Sequence, residues 1–257
     1  MAALIRNFCF YCLLFLWTLA MPLFALPFFR VQCLLRNEPG HIAARRVNQL
    51  YGRGWQYVIR PWVSFTKVGL ASENFPRPCI VVANHQSFFD IHCLANVPNG
   101  NITFTVRSWP FRLPLYGPFM RMAKYLNLET AGWDELMRQV ADDAATGAAI
   151  VFFPEGHRNT SGNIARFHAG AFAVAIAAKL PIVPVCINGT GRVLPPGTPW
   201  ISPGHVRIQA LSPVFPGDFA HEGENAARML RKHVQARMRH TMKDLATEHQ
   251  EKTQEVV

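Results

Sequence analysis

The stretch PCIVVANHQSFFD, Pro78 to Asp90, decides how the fold is read. An apolar run rich in β-branched residues, Pro78–Ala83, gives way at once to Asn84-His85, and a Phe-Phe pair then leads to Asp90. A short continuous apolar run bounded by turn-forming residues reads as a strand buried on both faces. Two more runs of this kind follow, Gly147-Ala-Ala-Ile-Val-Phe-Phe153 and Pro181-Ile-Val-Pro-Val-Cys-Ile187. Helix-like segments lie between them, at Trp133–Ala145 and Ala169–Lys179. Buried strands alternating with helices predict an α/β fold, with a mixed sheet covered by helices. The two prolines in the 181–187 run cannot donate to a ladder, which predicts an edge or bulged strand forming a groove wall.

Outward from this centre, the composition is that of a membrane-associated protein. Half of the 257 residues are hydrophobic and only 16% are charged, against roughly 25% in an ordinary soluble domain. The formal net charge of +10 favours polyanions, and a chain this apolar fits an anionic lipid surface better than nucleic acid, for which no motif is present. Phe8 to Phe29 is 22 positions without a charge. As a helix it would reach about 33 Å, enough for a hydrocarbon core of about 30 Å. The α/β fold is therefore expected to be preceded by an N-terminal membrane-embedded helical segment. Pro22 and Pro27 allow a kinked span or a hairpin dipping into one leaflet. No small-x-small cleavage site follows, so a retained anchor is expected rather than a cleaved signal peptide. Arg6 precedes the segment, and Arg30, Arg36, Arg45 and Arg46 follow it, which by the positive-inside rule puts the body in the cytoplasm.

The expected division is an anchor over 1–38 and a main domain over 39–257 that ends in a basic amphipathic helix over 223–250. In that helix Ala226, Leu230, Val234, Met238 and Met242 or Leu245 recur at helical spacing among Arg228, Arg231, Lys232, Arg237, Arg239 and Lys243. The apolar stripe would pack on the domain, and the basic face would meet solvent or anionic phospholipid. Of the six cysteines, Cys9 and Cys12 form a C-x-x-C with no second pair, so no metal site is expected and a reducing compartment is.

Candidate chemistry sits at strand ends, where α/β sheets place it. His85 follows the first strand directly. Ser87-x-x-Asp90 is also a capping-box-like start for a helix over Phe88–Ala95, so Asp90 has a structural explanation of its own. In Phe152-Phe-Pro-Glu-Gly-His-Arg-Asn159, Pro154 ends the strand and Gly156 permits a tight turn. Glu155 and Arg158 are then expected to project towards one rim.

His85-x4-Asp90, Phe153-Pro-Glu-Gly-x-Arg158 and Val183-Pro-Val185 occur in the order and spacing of the glycerolipid acyltransferases, a family that includes the lysophosphatidic acid (1-acylglycerol-3-phosphate O-) acyltransferases. The resemblance covers roughly residues 60–215. It implies a membrane-bound enzyme moving a fatty acyl group from acyl-CoA or acyl carrier protein to a lysophospholipid hydroxyl, with lysophosphatidic acid to phosphatidic acid as the first assignment. It implies His85 as general base, a role for which the ordinary histidine pKa of about 6.5 is suited. Asp90 would fix the ring tautomer, as the aspartate of a serine-protease triad does. Glu155, Gly156 and Arg158 match the acceptor-binding block, and Arg107 matches a basic residue between the motifs. The acyl carrier is a co-substrate, no cofactor or metal is implied, and the lipid bilayer is a partner. The bacterial members suggest the inner membrane, with the catalytic domain facing the cytoplasm. No G-x-S-x-G elbow suggests an acyl-enzyme. The chain departs from the pattern at Leu126-Asn-Leu-Glu-Thr130, where Thr130 stands in place of a second arginine, and at His157, Asn159 and His168. A hydrogen bond to a charged group is worth about 1.5–3 kcal/mol, so either Arg107, Arg112, Arg121 or Lys124 compensates or the acceptor is a different lysolipid. The competing readings are a lipid-binding protein without activity and a hydrolase that uses the same histidine on water.

Overall fold

The computed structural model describes residues 1–98, 100–114 and 116–254; the last three residues of the expected 39–257 domain lie outside the described residues. The strands are β1 (Val63–Val68), β2 (Cys79–Ala83), β3 (Ile102–Val106), β4 (Leu126–Asn127), β5 (Ala149–Phe152), β6 (Ile182–Asn188) and β7 (Gly204–Ala210). The helices are α1 (Ala2–Leu35), α2 (Gly40–Ile59), α3 (Asp90–Cys93), α4 (Tyr116–Met122), α5 (Trp133–Ala145), α6 (Gly170–Ala178), α7 (Thr190–Val193) and α8 (Ala226–Gln254). The chain compacts into two units interleaved along the sequence. One holds residues 1–62, 77–79 and 91–151, the other 63–76, 80–90 and 152 onward.

In the first unit β5, β3 and β4 run parallel, with Ile102–Phe104 beside Ala149–Val151 and Thr105–Val106 beside Leu126–Asn127. α5 has the bounds expected of it. Its Asp143 is buried against Arg45 of α2, whose guanidinium also bonds the Ala123 carbonyl and the Asn101 side chain. Arg46 pairs with Glu38 at 2.7 Å. Of the four arginines counted after the apolar segment, Arg45 and Arg46 are therefore neutralised in ion pairs, which leaves Arg30 and Arg36 as the flanking charges.

α1 is one continuous helix through both prolines, so the hairpin alternative does not occur. It is long and apolar enough to cross a membrane. One edge packs on α2: Phe10 meets Trp55 edge-on at 5.3 Å, and Trp17 donates from its indole to the Tyr51 carbonyl. Trp17 also lies where a side chain on Gly54 would stand, 2.0 Å from a Cβ built there, so the helices meet at that glycine. The rest of α1 turns outward, with Leu16, Leu19, Leu23, Phe24 and Phe28 all exposed.

The second unit carries a mixed sheet in the order β1-β7-β6-β2. β1 and β7 are parallel, β6 and β7 antiparallel, and β2 and β6 parallel. Every residue of β2 is buried, as its continuous apolar run predicts, whereas β7 alternates. The stripe Ala226, Leu230, Val234, Met238, Met242 and Leu245 of α8 is buried, and Cys186 of β6 reaches the Met238 carbonyl. Arg228, Lys232, Arg239 and Lys243 are exposed. The stripe thus packs on the domain.

β6 is not an edge strand, because it pairs on both sides. Its prolines are accommodated by a bulge in the neighbouring chain. Val185 faces Ala210, but Ile182 faces Val214, so Leu211, Ser212 and Pro213 stand opposite Val183 and Pro184. Pro184 accepts from the Leu211 N–H at 2.8 Å, and its missing donor falls where the ladder is already interrupted.

Candidate active site

The second unit assembles its polar groups where β2 and β6 end. After Ala83 the chain leaves the sheet, and Asn84 ties that exit to β6: its amide donates to the Ile187 carbonyl and accepts from the Ile187 N–H. His85 comes next. Its Nδ1 is 2.8 Å from Asp90 Oδ2, and the same oxygen accepts the N–H groups of Gln86 and Ser87 at 2.6 and 2.8 Å. A carboxylate oxygen that already takes two N–H groups acts as acceptor here, so Nδ1 is the donor, and in the neutral ring Nε2 then carries the lone pair. Among the described residues Nε2 has no hydrogen-bond partner. The ring stacks on Phe153 with centroids 4.3 Å apart. Asp90 is wholly buried and the His85 side chain is 18% exposed, so one edge of the ring reaches the outside.

The helix-start reading of Ser87 and Asp90 is half met. Asp90 reaches back to the Ser87 N–H as the acidic member of a capping box does. The Ser87 hydroxyl accepts the Phe89 N–H at 3.1 Å, one residue short of the capping-box pairing, and donates to the Leu194 carbonyl at 2.6 Å. The helix begins at Asp90 and gives way to a 3-10 turn at Leu94, so it is shorter than the expected Phe88–Ala95. Capping and histidine orientation converge on one carboxylate.

The block from Phe153 to Asn159 does not present Glu155 and Arg158 on one rim. Glu155 is buried at 1% exposure. Its Oε1 accepts the His85 N–H at 2.9 Å, and its Oε2 accepts the Ala165 N–H at 2.9 Å and the Asn159 amide. The Asn159 N–H donates to the His85 carbonyl at 2.7 Å. The backbone of His85 is thus clasped on both its polar groups by this loop, because a buried carboxylate is stable only where donors converge on it. Gly156 turns with φ 71°, and a Cβ there would stand 3.2 Å from the His168 ring. Arg158 is exposed and without a partner among the described residues.

Arg107 belongs to the first unit. Its Nε donates to Glu129 at 2.6 Å. Glu129 also accepts the Ser108 N–H, and these contacts, the Ser108 backbone first, hold its carboxyl down to about 2. Arg121 donates to the Phe111 carbonyl. His85, Asp90, Glu155 and Gly156 are therefore gathered in one place with Arg158 on the same loop, while Arg107 forms an ion pair of its own.

Two further residues enter the cluster, Asn159, which the sequence marked only as a departure from the family pattern, and Thr190, which it did not single out. Asn159 holds the His85 carbonyl, and the Thr190 hydroxyl donates to Asp90 Oδ1 at 2.5 Å. The available signal for Thr190 was Gly189-Thr190 directly after a buried strand, the position that His85 holds after β2. Gly189 has φ 98°, and a Cβ there would collide with the His205 carbonyl at 2.1 Å, so only glycine makes this turn.

The Acyltransferase family model matches residues 69–188. The chloroplastic 1-acyl-sn-glycerol-3-phosphate acyltransferase BAT2 of Brassica napus is 30% identical over 66% of this chain and 51% of its own length. A 1-acyl-sn-glycerol-3-phosphate acyltransferase of Chlamydomonas reinhardtii is 31% identical over 88% of this chain and 68% of its own. The chain therefore spans about half the length of the Brassica relative and two thirds of the algal one. The crystal structure of the 1-acyl-sn-glycerophosphate acyltransferase PlsC from Thermotoga maritima superposes with a TM-score of 0.70 at 25% identity, over 95% of this chain and 98% of that one.

Proposed function

The chain belongs to the 1-acyl-sn-glycerol-3-phosphate acyltransferase family, and on that basis we propose that it transfers a fatty acyl group from acyl-CoA or acyl carrier protein to the hydroxyl of lysophosphatidic acid. The observation that carries this reading is the His85–Asp90 pair at a strand end, with its carboxylate buried and its ring partly exposed. Nε2 takes the proton as the acceptor hydroxyl attacks the thioester carbonyl. A C–O bond forms, the C–S bond breaks, and the imidazolium returns the proton to the departing thiolate. Asp90 holds the ring in the required tautomer and offsets the charge of the imidazolium. Arg158, a free guanidinium on the loop that clasps His85, is the phosphate contact, since a guanidinium binds phosphate oxygens in pairs. Glu155 serves the reaction by holding the His85 backbone.

The exposed apolar surface of α1 supports a membrane location, because the core helix of a soluble protein would bury it. Arg30 and Arg36 at its end favour the bacterial inner membrane with the body in the cytoplasm. A second acceptor is favoured by one observation. Arg107 is compensated by Glu129, and Thr130 follows it where an arginine is expected, which suits a lysolipid with a less anionic head group.

Membranes carrying the protein, given labelled acyl-CoA or acyl carrier protein and a panel of lysolipids, test this. Transfer to lysophosphatidic acid that vanishes in His85→Ala is the expected result. Transfer only to zwitterionic lysolipids would establish the second acceptor, and free fatty acid release without transfer would replace both with hydrolysis.

A further inference from the structure

Asp90 has two carboxylate oxygens, and they are used differently. Oδ2 takes the His85 ring and two backbone N–H groups, all within five residues in sequence. Among the described residues, Oδ1 has one hydrogen-bond partner, the Thr190 hydroxyl, which comes from 100 residues away. Thr190 is fully buried at the first position of α7, immediately beyond β6. Its second neighbour, the Gln86 side-chain oxygen, is 3.5 Å away. A hydroxyl has one proton to give, and the shorter, charged acceptor takes it.

We propose that Thr190 is a positioning residue for the transfer, the third member of a His85–Asp90–Thr190 relay of hydrogen bonds, which sets both the rotation of the Asp90 carboxylate and the charge it presents to the imidazole. This rests on the acyltransferase reading above. The geometry has two consequences. The carboxylate is anchored from both sides, by its own turn through Oδ2 and by the end of β6 through Oδ1, so its plane cannot swing away from the ring. The hydroxyl dipole also draws charge from the carboxylate. Without it Asp90 would hold the imidazolium more strongly, and the ring would return its proton less readily.

The turn before Thr190 fits this role. Gly189 takes up a conformation that only glycine tolerates there, and a Cβ on Gly191 would sit 3.3 Å from the Gln86 side chain. The backbone thus brings Thr190 in under Gln86 and Asp90. Among the described residues, the other ionisable groups on the segments that hold the dyad and Thr190 include Glu155, bonded to the His85 N–H, the exposed His157, Arg158 and His168 of its loop, and the exposed Arg192 of α7. All are unchanged in a Thr190 variant, so a difference between variants isolates the Thr190 contribution.

The experiment compares unmodified protein, Thr190→Val, Thr190→Ser and His85→Ala in membranes, reading kcat, KM and the pH dependence of kcat/KM for acyl transfer. Valine keeps the shape and removes the hydroxyl; serine keeps the hydroxyl. Thr190→Val is expected to lower kcat about 10- to 100-fold, the worth of one hydrogen bond to a charge. Both KM values should stay within about threefold, and the acid limb of the profile should move to higher pH. Thr190→Ser should restore the profile and most of kcat. A fall in kcat with an unmoved acid limb, or a serine variant no better than valine, would reduce Thr190 to a packing residue and overturn the proposal. Wild-type kcat in Thr190→Val would overturn it too. If the unmodified protein itself shows no His85-dependent transfer, the acyltransferase reading fails first and the proposal falls with it.

Discussion

Glu155 and Arg158 lie three positions apart on one loop and do opposite things. Glu155 gives both oxygens to backbone donors in the interior, and Arg158 keeps its donors for the outside. Glu155→Gln leaves one amide N–H facing the N–H of His85 or Ala165, so one buried donor loses its acceptor. We expect a loss of about 1.5–3 kcal/mol in stability, measured by urea unfolding, together with lower kcat as His85 loses its backbone clasp. Arg158→Gln should leave the unfolding midpoint unchanged, as exposed substitutions do, and raise the acceptor KM about tenfold or more. Were the two to exchange phenotypes, the assignment of Glu155 to the interior would be wrong. The difference between them was hidden in the sequence, where Phe153-Pro-Glu-Gly-x-Arg158 shows two charges on one turn. Glu155 finds His85 across seventy residues, and only the fold brings the two together. The contact of His85 with Asp90 is local to one turn, and the resemblance implied the pair from that short motif. Thr190 was not legible, because its partner lies a hundred residues back.

Elements were legible where burial was continuous. The runs around 79–83, 149–152 and 182–188 became strands, and α5 kept its expected limits, since long buried apolar runs and a strongly amphipathic stretch leave few alternatives. The prolines of β6 predict an edge or bulged strand, and the structure gives it two neighbours and an interrupted ladder. The bulge that accommodates Pro184 lies in the partner segment Leu211–Pro213, which no local reading of 181–187 contains. Arg45 was misread for a related reason. It looked like a membrane-flanking charge, yet it is buried in α2 at 2.7 Å from Asp143 of α5. Its three contacts tie α2 to α5, to the turn after α4 and to the start of β3. Arg45→Met should strand the Asp143 carboxylate and cost about 3–5 kcal/mol. The double change Arg45→Met with Asp143→Leu should recover much of that. Denaturant unfolding of the pair in detergent checks it, and a single variant as stable as the unmodified protein would show that the ion pair holds nothing together.

The molecule combines an outward apolar helix with a body that must keep buried histidines neutral. His92 stacks on Trp55 with ring centroids 4.5 Å apart, and burial holds its pKa down to about 3; burial also lowers His41 to about 4. An unfolded chain binds these protons near pH 6.5. Between that value and the depressed ones, the unfolded state holds more protons than the folded state, so stability rises with pH and is lost as pH falls. The unfolding midpoint should therefore decline from pH 6.5 towards pH 4, and His92→Phe, which keeps the stacking, should flatten the decline. An unchanged slope would mean that other groups govern acid sensitivity. For the intact protein, the decisive measurement is acyl transfer to lysophosphatidic acid by unmodified protein, His85→Ala and Asp90→Asn, matched for amount and unfolding midpoint. The account predicts a loss of about 1,000-fold or more in both variants, as removing the base or its orienting carboxylate does elsewhere. Transfer by His85→Ala within a few-fold of the unmodified rate would contradict it.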